Sequence, residues 1–180
     1  MEKIKILVVE DEVIVAKDIG DTLLSLGYSV TGTASSAEEA LDLSELTEPD
    51  LVLMDIMLEG ELDGTEAAEI IRSRFNIPII FLTAYSNEET LRRAKTTNPY
   101  GYILKPFQET DLYTTIEIAL HKHETQRKLI EETENALAAI IGSTEVLLEE
   151  GAPGDDAEVL RRIDSIHNAA LIIKDTIDKL

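Results

Sequence analysis

The sequence predicts a five-stranded, parallel, doubly wound α/β sheet whose last helix extends into an α-helical hairpin. Three observations carry this reading. Short apolar runs of strand length recur along the first 120 or so residues, helical patterns separate them, and acidic residues follow the runs. Ile4 to Val9, Leu51 to Met54 and Ile77 to Leu82 are nearly continuous apolar stretches rich in branched side chains, as strands buried on both faces require. Tyr28 to Thr33 and Tyr100 to Leu104 complete the five.

Between the strands the apolar period changes from two to about 3.6. Val13 to Leu26 is a helix with Ile14, Ile19, Leu23 and Leu26 predicted inward; Ser36 to Leu46 opens on a capping serine; Thr65 to Phe75 and Asn87 to Thr96 are the next two. Alternation of strand and helix gives right-handed crossovers and a parallel sheet.

The fifth helix is predicted to begin near Glu109, and no Gly or Pro stands between Gln108 and Ile141 to end it. Ile130, Thr133, Leu137, Ile140, Thr144 and Leu147 repeat in steps of three and four, so the helix runs on to about Glu149. Residues 150–155, EGAPGD, are a strong breaker, after which Val159, Ile163, Ile166, Ala170, Ile173, Ile177 and Leu180 repeat the same steps over 156–180. The predicted domains are therefore 1–122 and a hairpin over 123–180. Two helices alone bury both stripes poorly, so a homodimeric four-helix bundle is the expected solution; the alternative is a hairpin folded back on the first domain.

Composition excludes several classes of function. The chain has 180 residues, 44% hydrophobic and 29% charged, as a globular protein does, and no apolar run approaches the ~20 residues that cross a bilayer. The N-terminal MEKIKILVVEDE lacks a secretory pattern, so a cytoplasmic location is expected. There is no cysteine, which excludes disulfides and thiolate chemistry. The formal charge is −20, with 10 Lys+Arg against 24 Asp+Glu in residues 1–125 and 6 against 12 in residues 126–180, so neither part offers the basic surface of a nucleic-acid binder.

In an open parallel sheet the ligand site lies at the carboxyl ends of the strands. There stand Glu10 and Asp11 after the first strand, Asp55 after LVLM, Thr83 after IIFL and Lys105 after YGYIL. Clustered carboxylates stay ionised only beside a compensating cation, and hard oxygen donors suit Mg²⁺. Taken singly, an Asp after a strand is a turn residue, Thr83 a cap, Tyr102 a half-buried strand residue and Lys105 a solvated charge. Their common rim is what points to chemistry.

EDE at 10–12, LVLMDIML at 51–58, DG at 63–64, FLTAY at 81–85 and YILKPF at 102–107 together resemble the receiver domains of two-component response regulators, which have a flavodoxin-like fold. The resemblance covers residues 1 to about 122. It implies that Asp55 takes a phosphoryl group from the phosphohistidine of a partner kinase, with Mg²⁺ held by Asp11, Asp55 and the backbone carbonyl of Met57, and by Glu10 mainly through water. Lys105 and Thr83 would hold phosphoryl oxygens, Tyr102 would be the aromatic switch residue, and the Lys105–Pro106 bond would be cis. The chain would thus be a phosphoacceptor that catalyses only its own phosphorylation and hydrolysis; Met57 and Tyr85 flank the phosphate position, and their bulk points to slow loss of phosphate.

Residues 131–142, EETENALAAIIG, resemble the phosphoacceptor helix of a histidine-kinase dimerisation domain with Glu131 at the histidine position, and the expectation is a hairpin that lacks the ATP-binding domain of such kinases. The hairpin then reads as a degenerate dimerisation module. His121 and His123 are expected on a solvated helix face and His167 on the flank of the bundle. The leading expectation is a response regulator that acts by protein contact; a phosphorelay intermediate and a purely structural adaptor are the alternatives.

Overall fold

In the computed structural model the first unit is the predicted parallel sheet, and each strand stands where an apolar run ends in polar residues. Residues 3–58, 60, 62–84, 97–150 and 157–177 are described. In chain order the elements are β1 (Lys5–Val9), α1 (Val13–Ser25), β2 (Ser29–Ala34), α2 (Ala37–Thr47), β3 (Leu51–Asp55), α3 (Gly64–Phe75), β4 (Ile79–Ala84), β5 (Gly101–Lys105), α4 (Glu109–Glu150) and α5 (Ala157–Ile177). The expected helix over Asn87–Thr96, together with Tyr85, most of the breaker and Leu180, lies outside the described residues.

The sheet order is β2-β1-β3-β4-β5, parallel throughout, so the chain winds outward in both directions from β1. That reversal between β1 and β3 opens a crevice at their carboxyl ends, which is where Glu10 and Asp55 fall. β2 is an edge strand, and its pairing with β1 steps from Val30 to Gly32, so Thr31 forms a bulge that breaks the regular edge.

The strand alternation sorts the core into two faces. Leu7, Val9, Val52, Met54, Ile79 and Phe81 pack with Ala37, Ala40, Ala67 and Ile71 on one side. Ile6, Val8, Leu51, Leu53, Ile80 and Leu82 pack with Ile19, Leu23, Leu112 and Ile116 on the other. Each fully buried aliphatic side chain contributes about 1.5–3 kcal/mol, and both faces of β1, β3 and β4 are covered.

Helix ends follow local chemistry. The Ser36 side chain accepts from the Glu39 N–H, and Asp63 with Glu66 makes a reciprocal capping box at the start of α3. Ile14 departs from its expected place: it is 84% exposed, while Ala16, Ile19 and Leu23 form the buried face of α1. The first turn of α1 lies beside the carboxyl end of the sheet, beyond the reach of the core, so periodicity alone does not bury it.

The chain divides into two units, Met1–His123 and Glu124–Leu180. In the second, Leu137, Thr144 and Ala170 are buried where α4 and α5 meet, and the Thr144 hydroxyl lies 2.8 Å from His167 Nδ1. The expected apolar stripes are split: Leu137, Thr144, Ile163, Ala170 and Ile177 turn inward or are half-buried, whereas Ile140, Leu147, Val159, Ile166 and Ile173 are exposed. His167 sits on the inner row, not the flank. No described helix is long and apolar enough to cross a membrane.

Candidate functional site

Glu10, Asp11 and Asp55 each bring a carboxylate oxygen to within 4.8 Å of the other two. The sheet explains why. β1 and β3 pair Val9 with Met54, so the residues that follow them, Glu10 and Asp55, leave adjacent strands at one level. Glu10 is almost wholly buried, at 1% exposure, and Asp55 is buried at 7%, while Asp11 is partly open.

Two strands away, β5 ends at Lys105, which pairs with Ala84. Its Nζ lies 2.5 Å from both Glu10 Oε2 and Asp55 Oδ2. The other Asp55 oxygen, Oδ1, accepts the Met57 N–H at 2.9 Å. Asp55 is thus held from both sides, by an ammonium and by the backbone of the loop that follows it. The Met57 side chain is 65% exposed at this rim. The Lys105–Pro106 bond is cis, as the resemblance implies.

Electrostatics follow from burial. Removal from water raises the pKa of Glu10; the hydrogen bond from Lys105 opposes this and the nearby charge of Asp55 adds to it. Burial alone would lower the pKa of Lys105, but the hydrogen bonds and charges of Asp55 and Glu10 outweigh it, so the ammonium is held more firmly than usual.

The site fits a hard divalent cation. Three carboxylates face one lysine charge, and Glu10 Oε1 is buried with no hydrogen-bond partner among the described residues. A carboxylate oxygen left so is expensive unless a cation or water completes it, and all-oxygen donors are the kind Mg²⁺ takes.

Gly64, in the DG pair, admits the loop from β3 to close on the site. Its N–H donates to the Ile56 carbonyl at 3.2 Å, and a Cβ at this position would stand 1.9 Å from the Asp55 carbonyl oxygen. The DG pair marks a motif in the sequence, and the fold supplies the steric demand behind it.

Thr83 is buried at 6% exposure near the end of β4, one residue beyond Leu82, the partner of Asp55. Its hydroxyl donates to the Ala84 carbonyl at 3.1 Å. Tyr102 pairs with Phe81 on β5, its ring centroid 5.9 Å from that of Phe81, and packs on the same face. Its hydroxyl is buried with no partner among the described residues, and burial raises its pKa.

The histidines take different places. His121 is exposed as expected, but His123 is half-buried, its ring edge-on to Tyr100 at 5.4 Å, because α4 still packs on the first unit there. None of the three histidines belongs to the acidic cluster.

The family model for the response regulator receiver domain matches residues 6–117. The transcriptional regulatory protein PdtaR of Mycobacterium tuberculosis is 37% identical over 118 residues, 66% of this chain and 57% of that protein. The phyllosphere-induced regulator PhyR of Methylorubrum extorquens is 34% identical over 125 residues, 69% of this chain and 46% of that one. The chain therefore spans about half the length of the curated relatives it matches. Among solved structures, the receiver domain of a modulated diguanylate cyclase from Desulfovibrio desulfuricans G20 superposes with a TM-score of 0.67 at 41% identity, covering 69% of this chain and 99% of that one. With the five-stranded parallel sheet, the acidic crevice and the family match over residues 6–117 in agreement, the chain belongs to the response regulator receiver domain family.

Proposed function

We propose that Asp55 accepts a phosphoryl group from the phosphohistidine of a partner histidine kinase, with Mg²⁺, and that the output is protein contact through the α4–α5 hairpin, homodimerisation included. The observation that carries the first part is the convergence of Glu10, Asp11 and Asp55 within 4.8 Å, with Lys105 Nζ 2.5 Å from Asp55.

Phosphoryl transfer needs positioning and neutralisation of charge more than covalent help from the protein. An Asp55 oxygen attacks phosphorus, the bond from phosphorus to the imidazole nitrogen breaks, and the imidazole leaves with that electron pair. The Met57 N–H fixes the rotamer of the attacking carboxylate. Lys105 turns its ammonium from Asp55 to a phosphoryl oxygen, and the Thr83 hydroxyl donates to another. Asp11 and Asp55, with the Met57 carbonyl and with Glu10 through water, would hold Mg²⁺, which supplies positive charge against the phosphoryl oxygens. Tyr102 serves as the switch, since its hydroxyl, without a partner among the described residues, gains by reaching a polar neighbour once Thr83 turns to the phosphoryl group. The protein is then a phosphoacceptor whose only catalysis is on itself, and the second unit reads the change.

A histidine kinase carrying labelled phosphohistidine tests this. Mixed with the protein and Mg²⁺, it should lose label to this chain, and chelation should stop the transfer. Label that moves equally well to the Asp55→Asn chain would refute the assignment.

A further inference from the structure

We infer that one face of the α4–α5 hairpin is built to pair with a second copy of this chain, α4 of each copy lying against α5 of the other. The inference deepens the reading of the hairpin as an output surface and rests on that reading only for its use in signalling.

The inner seam uses Leu137 and Thr144 on α4, and Ile163, His167 and Ala170 on α5. Beside it each helix carries a second row at heptad spacing. On α4 it is Thr133, Ile140 and Leu147, flanked by the small residues Ala136 and Ser143; Ile140 is 41% and Leu147 39% exposed. On α5 it is Val159, Ile166 and Ile173, flanked by Ala169 and Thr176, with exposures of 40%, 53% and 49%. Steps of seven hold a row on one face of a helix, and small flanking residues permit close approach.

Both outer rows fall on one side of the hairpin. At about 100° per residue the outer row lies roughly 50° from the inner one on α4 and roughly 70° on α5, in the same rotational sense viewed from the helix N-terminus. The helices run oppositely, since Thr144, near the end of α4, meets His167 in α5. The same rotation on two antiparallel helices facing each other carries both rows to the same face. A single partner on that face therefore covers both rows, while Val146, Leu171 and Ile172, also exposed, lie on other faces of the two helices.

Charge selects the pairing. From Leu129 to Leu147, α4 carries Glu131, Glu132, Glu134 and Glu145 and no basic residue, so two α4 helices side by side repel. α5 carries Arg161, Arg162 and Lys174 balanced by Glu158, Asp164 and Asp175, so it is neutral where α4 is acidic. Alternation of α4 and α5 around a four-helix bundle separates the acidic arms and places each beside a helix with basic residues. With the two-fold axis along the bundle, the levels within a hairpin are kept, which sets Ile140 opposite the partner copy's Ile173 and Leu147 opposite its Ile166.

The absence of cysteine makes the test direct. Light scattering of the whole chain should give twice the monomer mass, and Ile166→Glu with Ile173→Glu should give a monomer of unchanged helical circular dichroism. Ile140→Cys chains mixed with Ile173→Cys chains should oxidise to a mixed disulfide dimer, with neither cross-linking to itself. A wild-type monomer at about 100 μM, where even weak bundles associate, overturns the pairing; a dimer in which Ile140→Cys cross-links only to itself overturns the arrangement. The Asp55→Asn chain should pair as wild type does, so failure of phosphoacceptance and failure of pairing are read separately.

Discussion

The ammonium of Lys105 lies 2.5 Å from Asp55 Oδ2 and an equal distance from Glu10 Oε2, so one cation from the last strand bridges the carboxylates that end the two central ones. This bridge joins β1, β3 and β5 across the crevice. It also makes the site's stability depend on what neutralises its acids.

Lys105→Met leaves Glu10 and Asp55 buried without their cation, a loss of about 3 kcal/mol for a buried pair broken on one side. Urea denaturation in the presence of a chelator should show that loss, and millimolar Mg²⁺ should restore part of it. An unchanged midpoint in the chelator would mean the bridge contributes nothing.

Gly64→Ala drives a methyl group against the Asp55 carbonyl, where 1.9 Å separates them before relaxation. Backbone on both sides must yield, so a loss of about 3 kcal/mol is expected together with slower labelling of Asp55. Wild-type labelling in a folded Gly64→Ala chain would show that the loop from β3 to α3 does not position the carboxylate.

Tyr28 is buried, and its hydroxyl donates to Glu117 at 2.8 Å. Burial first, then that hydrogen bond and the Glu117 charge, push its pKa well above that of a free phenol. A raised folded-state pKa contributes stability that is intact below the unfolded value near 10 and is lost as pH climbs above it. Wild type should therefore weaken above about pH 10, and Tyr28→Phe, lower by about 1 kcal/mol at neutral pH, should weaken less steeply. Parallel pH curves for the two chains would remove this explanation.

Tyr102→Phe should behave in the opposite way. Its hydroxyl is buried and unpartnered among the described residues, so deletion should be neutral or stabilising by up to about 1 kcal/mol while Asp55 labelling persists. A loss greater than about 1 kcal/mol would indicate that the hydroxyl has a stabilising role in this state.

Much of this was legible in the sequence, because parallel strands covered on both faces announce themselves as apolar runs, and the polar residue after each run must fall on one rim. Asp55, Glu10 and Lys105 follow from that rule alone. Ile14 was misplaced because a helical period says which residues share a face, not how far the core extends along it. His167 was misplaced because the outer row, Val159, Ile166 and Ile173, is as regular as the inner one; the Thr144 hydrogen bond distinguishes them, and it joins residues 23 apart. The clash that reserves position 64 for glycine is likewise a contact across a turn, with no signature in composition.

The most direct measurement is peptide mapping after incubation with acetyl phosphate and Mg²⁺, with borohydride reduction expelling the phosphate of the acyl phosphate and marking the modified aspartate as homoserine. One modified residue, Asp55, is predicted, absent when Mg²⁺ is chelated and absent in the Asp55→Asn chain. Modification elsewhere with Asp55 untouched, or equal modification of the Asp55→Asn chain, would contradict phosphoacceptance at the crevice.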